Sequence, residues 1–91
     1  MLFELGMIVH TPGFEGVAGD DLLGVMSGLI KRHRSGDWGD LCDEDKEMND
    51  HAVVPGNNQR VLSRYDVNGD AVYVITEWDR SVTTLLLRSE Y

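Results

Sequence analysis

Asn68-Gly69 constrains this chain more than any other pair of its residues. A two-residue type I′ turn needs positive φ at both central positions, which asparagine and glycine tolerate best, so the pair predicts a tight hairpin wherever alternating runs flank it. Before it, Val61, Ser63, Tyr65 and Val67 alternate with Leu62, Arg64 and Asp66; after it, Ala71 to Trp78 is rich in β-formers. Asp79-Arg80-Ser81 turns the chain again, and Val82 to Leu87 completes a meander of three strands. The breaker cluster Pro55-Gly56-Asn57-Asn58 marks where the periodicity changes from helical to two.

Upstream, Phe3, Leu5, Met7 and Val9 alternate with Glu4, Gly6, Ile8 and His10, predicting a half-buried strand that Thr11-Pro12-Gly13 ends. Phe14 to Gly19 reads as a loop. Asp20 or Asp21 is expected to cap a helix whose stripe is Leu22, Met26, Leu29 and His33, with Val25 and Ile30 beside it. Gly24 and Gly28 suggest close packing of that helix against another element, and Ser35-Gly36 stops it. Asp37-Trp38-Gly39 is a short connection, and Asp40 is expected to cap a second, largely solvated helix from Leu41 to about Val53. The order β-α-α-β-β-β predicts a single α+β domain over residues 1–91: an antiparallel sheet of three to four strands against one or two helices, with the first strand at an edge or beside the last.

At 91 residues the chain is too short for two cores, and 42% hydrophobic with 26% charged residues is ordinary globular composition. A formal net charge of -8 argues against a protein that coats nucleic acid through lysine and arginine. No basic leader and no apolar run of membrane length is read, so the expectation is a cytoplasmic protein without membrane contact. Cys42 is the single cysteine, which excludes an internal disulfide.

The charge is concentrated. Asp37, Asp40, Asp43, Glu44, Asp45, Glu47 and Asp50 stand against Lys46 alone within residues 37–50. Such a face either keeps a helix solvated or presents carboxylates to a basic partner as phosphates would. Asp43, Asp45 and Glu47 have the alternate spacing of a calcium loop, but Met48 replaces its glycine and Val54 its bidentate acid, so no metal and no cofactor is expected. Asp37, Trp38, Asp40, Asp43, Glu44, Asp45 and Glu47 are the candidate partner contacts. Trp38 between glycines also suits a partly buried anchor, with Asp37 or Asp40 taking nearby amides.

The candidates for catalysis are His33, Arg80 and Thr83. Arg80 lies among acids and is expected in a salt bridge; alternatively, with Thr83 or Thr84 it would hold a phosphate while His33 or His51 takes a proton from a ribose hydroxyl. A histidine on an apolar stripe is more often packed and hydrogen-bonded. A thiol pair of Cys42 with His33 or His51 is disfavoured, because the surrounding acids raise a thiol pKa.

Leu5-Gly6-Met7-Ile8-Val9 with Thr11-Pro12-Gly13, His33 to Leu41 with Asp45 and Asn49, Arg60 to Tyr65, Ile75 to Thr84, and Glu90-Tyr91 together resemble a family of small mobile-element proteins. Its members are carried by plasmids, phages and integrated elements and are often labelled plasmid-related protein; some carry a type I restriction subunit label that does not fit a chain of this size. The resemblance implies a genomic setting and no activity. Arg88 stands here where the family tends to have proline before its last acid and tyrosine.

Two readings follow. One is a non-catalytic binder that inhibits or regulates a nucleic-acid-processing enzyme of defence or restriction, its partner a protein with a basic surface. The other is a small metal-independent RNase of the barnase-like kind using His33 and Arg80, an analogy at the level of fold. A homodimer through the sheet edge is a third expectation.

Overall fold

The computed structural model describes residues 2–91. Its strands are β1 (Met7–His10), β2 (Val61–Val67), β3 (Asp70–Thr76) and β4 (Val82–Leu87), in the spatial order β1-β4-β3-β2. The helices are α1 (Pro12–Ala18), α2 (Leu22–Arg34) and α3 (Asp43–Ala52), with short 3-10 turns at Gly19–Asp21 and Arg88–Glu90. The meander forms as read: β2 and β3 pair from Val61↔Thr76 to Val67↔Asp70 around Asn68-Gly69, where Asn68 has φ 51° and Gly69 φ 87°.

The sheet is mixed rather than antiparallel. β1 lies parallel to β4, with Met7 opposite Val82 and His10 opposite Leu85. Three helices carry the chain from one edge of the sheet to the other, and such a crossover returns it running in its original direction, so β1 and β2 are parallel and β4 shares that sense.

The expected loop at Phe14–Gly19 is a helix. Thr11 caps it, its Oγ1 accepting the Phe14 amide at 3.2 Å, and Pro12 occupies the first turn. Phe14 and Ala18, four apart, bury against Leu29, Tyr65, Val72 and Leu85 to form the main core.

The first strand also differs from its pattern. Gly6 has φ 65°, and a Cβ there would meet the Ser81 carbonyl oxygen at 2.3 Å. This kink breaks the alternation, so Phe3 and Leu5 are half-buried while Met7 and Val9 are exposed.

Neither Asp21 nor Asp40 caps by a side-chain bond. Asp21 is at the N-cap of α2 without one, and Cys42, not Asp40, precedes α3. The α2 stripe is as expected, with Leu29, Ile30 and His33 buried. Packing against another element explains neither of its glycines. Gly24 leaves room for the Asp21 carboxylate, and a Cβ on Gly28 would meet nothing within 4 Å. No helix among the described residues is long and apolar enough to cross a membrane.

Candidate functional site

His33 is fully buried, and the hydrogen-bonded chain that starts from its ring joins three strands. Nδ1 lies 2.6 Å from Ser63 Oγ on β2, and Nε2 lies 2.9 Å from Thr76 Oγ1 on β3. Thr76 Oγ1 is 2.7 Å from Thr83 Oγ1 on β4, which donates to the Leu5 carbonyl oxygen at 2.7 Å. One proton per hydroxyl fixes the direction of the chain. Thr83 spends its proton on Leu5, so Thr76 donates to Thr83 and accepts from Nε2–H, leaving Nδ1 to accept from Ser63. This assignment of Nδ1 holds for the neutral ring, the form that burial favours. Burial, and secondarily the positive charge of Arg80, lower its pKa from 6.5 to about 4. Phe3 and Trp38 close the remaining sides of the ring edge-on, at 5.2 and 6.0 Å between centroids.

Arg80 makes no salt bridge among the described residues. It has φ 61°, and its guanidinium donates to the carbonyl oxygens of Ala52 at 2.8 Å, of Glu77 at 3.1 Å and of Gln59, while lying 5.6 Å from the Phe3 ring centre. It thereby clamps the end of α3 and the lead into β2 onto the β3–β4 turn. The fold brings His33 and Thr83 into one hydrogen-bonded chain, with Arg80 near enough to act on the ring, but it commits each to interior partners. An RNA phosphate or ribose hydroxyl has no open path to this ring.

Trp38 is likewise interior, at 4% exposure, and corrects its assignment as a partner contact. Its indole N–H donates to Asp50 Oδ1 at 2.9 Å and its ring packs with Ala52 and Val61. The exposed tryptophan is Trp78, at 58%. Asp37 is held by Arg32 through contacts of 2.7 and 3.3 Å and accepts the Gly39 amide at 3.2 Å; the Arg32 bond is the main reason its pKa is lowered.

The turn after α2 has a structural purpose at the sheet edge. The Arg64 amide donates to the Trp38 carbonyl at 3.0 Å, and the Asp40 amide donates to the Arg64 carbonyl at 2.7 Å, adding a bridge outside β2. Gly39 sits between them at φ 77°, where a Cβ would lie 1.9 Å from the Arg64 carbonyl oxygen. The backbone approach, not flexibility, requires this glycine.

What remains free is α3. Asp43, Glu44, Asp45 and Glu47 are exposed and, among the described residues, make no ion pair. Three of them lie in the first turn, where they complement the helix dipole, which is the conservative account of their presence. Beside them is a groove of about 500 Å³ lined by Leu41, Asp45, Met48, Asn49, Gln59, Arg60, Leu62, Tyr73 and Tyr91. Tyr73 and Tyr91 meet edge to face at 5.4 Å. The Arg60 guanidinium lies 5.4 Å from the Tyr91 ring centre and bonds its hydroxyl. The groove thus already receives one arginine over an aromatic ring, with the carboxylate of Asp45 on its lining.

Sequence reasoning found the acids but missed Arg60, Tyr73 and Tyr91 as groove residues. No local signal joins them, since Arg60 precedes β2, Tyr73 lies in β3, and Tyr91 reaches the groove through the final 3-10 turn. Comparisons with protein-family models, curated proteins and solved structures give no match to this chain.

Proposed function

We propose that this is a small protein-binding module whose acidic helix α3 and adjoining aromatic groove receive a basic segment of a nucleic-acid-processing protein. The observation that supports the reading is the pairing of two features: four exposed carboxylates without ion-pair partners among the described residues, and a groove of tyrosines, leucines and a methionine alongside them. A long cationic side chain fits both, its stem along Leu41, Met48 and Leu62 and its head among aromatic rings and acids. Long-range attraction to a strongly negative patch also speeds encounter with a basic partner. The resemblance to mobile-element proteins favours a defence or restriction enzyme as that partner. The RNase reading draws no support from His33, which is fully buried, or from Arg80, whose two terminal nitrogens are spent on backbone carbonyl oxygens.

Capture from host lysate tests the proposal. Tagged wild type is compared with the variant Asp43→Asn, Glu44→Gln, Asp45→Asn, Glu47→Gln at low and raised salt. Wild type is expected to retain a basic nucleic-acid-processing protein that the neutralised variant and raised salt both release. Equal recovery by the two proteins, or none by either, contradicts the proposal.

A further inference from the structure

The two edges of the sheet differ in how they are finished. At β2 the outward backbone groups of Leu62 are taken by the Asn49 side chain, and those of Arg64 by the main chain at Trp38 and Asp40. At β1 no strand among the described residues covers the outer side. The Met7 and Thr11 amides donate inward to the Ser81 and Leu85 carbonyls, so the alternation of a parallel ladder turns the N–H and C=O groups of Ile8 and His10 outward. Between Met7 and His10 the strand itself has no proline, lysine or acid, and its one polar side chain, His10, lies 3.4 Å from Glu15. Met7 is 69% exposed, Leu23 on α2 is 80% exposed, and a cleft of about 330 Å³ between Ile8 and α2 reaches Lys31 and Arg34.

We infer that β1 and α2 form the interface of a two-fold symmetric dimer in which the β1 strands of two copies pair antiparallel and make one continuous sheet. The charge pattern of α2 selects a second copy as the occupant. Asp20 and Asp21 precede the helix, and Lys31 and Arg34 stand in its last turns on the side of the Ile8 cleft, while Arg32 is turned away to Asp37. Antiparallel pairing within a sheet sets the two-fold axis perpendicular to it. The two α2 helices, on the same face, then run antiparallel, and each basic end meets the acidic start of the other. Leu23 and the Ile8 cleft are covered in the same step. The interface lies at the edge opposite β2 and α3, so it leaves the acidic face free and stands or falls independently of the partner proposed above.

A charge-swap experiment by analytical ultracentrifugation tests the dimer. One variant carries Lys31→Glu with Arg34→Glu, and a second carries Asp20→Lys with Asp21→Lys. Wild type is expected to be dimeric and each variant alone monomeric, because reversal sets like charges against each other at both symmetric contacts. The equimolar mixture is expected to regain the dimer, since opposite signs then face each other at both. Amide exchange at Ile8 and His10 is expected to be slow in wild type and fast in either variant alone, with β3 amides unchanged in all samples as the check on folding. Three results overturn the inference: a wild type monomeric at NMR concentrations with freely exchanging Ile8 and His10 amides, a dimer that survives both reversals, or a mixture that stays monomeric.

Discussion

In the unfolded chain His33 protonates near 6.5, whereas in the fold the ring stays neutral down to about 4. Between those values a falling pH loads a proton onto the unfolded state first, so stability declines as pH drops through this window and the decline ends once the folded ring also protonates. The full shift corresponds to a loss on the order of 3 kcal/mol. Below it, protonation of Asp37 removes a further contribution, because its lowered pKa reflects the bond from Arg32. Replacing His33→Gln is expected to flatten the dependence of urea-unfolding stability on pH across that window, at a cost near neutrality of about 1–3 kcal/mol from the broken Ser63 and Thr76 contacts. An unchanged slope in the variant would show that another group carries the acid sensitivity. The sequence singled out His33, Arg80 and Thr83 but not their roles. The histidine's partners are 30 and 43 residues away in the chain, and only the sheet register brings Ser63, Thr76 and Thr83 to one ring. Arg80 misled for a related reason: neighbouring acids suggest a salt bridge, while the turn geometry aims the guanidinium at carbonyl oxygens instead.

Among the elements, the meander was legible because its signal is local: alternation, then Asn68-Gly69, then alternation. The short helix α1 was obscured by Gly13 and Gly16, which dilute the periodicity, although Thr11 and Pro12 supply a start signal and Phe14 and Ala18 an apolar face. The direction of β1 depends on how the helices return the chain and is invisible to periodicity. At the opposite edge, the Asn49 side chain donates to the Leu62 carbonyl at 2.7 Å and accepts the Leu62 amide at 3.2 Å, so it acts as a fragment of a missing strand. Asn49→Asp keeps the acceptor but replaces the donor by a second oxygen facing the Leu62 carbonyl. The variant is expected to lose about 2 kcal/mol in chemical denaturation and to expose this edge. Wild-type stability in Asn49→Asp would mean that the edge does not depend on this contact.

For the whole molecule, polar groups fall into two populations. One holds the fold together: the His33 chain, the Arg80 clamp and the Trp38–Asp50 bond join strands, helices and turns into one α+β domain. The other is the unpaired acidic surface of α3 beside a groove containing Arg60, Tyr73 and Tyr91. The acids were readable from composition, but the groove was not, because it joins α3, β2, β3 and the chain's last turn. The division is the ground for proposing α3 as the binding face, and the buried catalytic candidates His33 and Thr83 belong to the interior. Hydrogen exchange of the wild-type protein with its captured partner tests this most directly. The account predicts new protection confined to Leu41–Ala52, Gln59–Leu62 and Tyr73, with α1 and the strand amides around Thr83 unchanged. Protection centred on the His33–Arg80 region, with α3 exchanging as in the free protein, would contradict it.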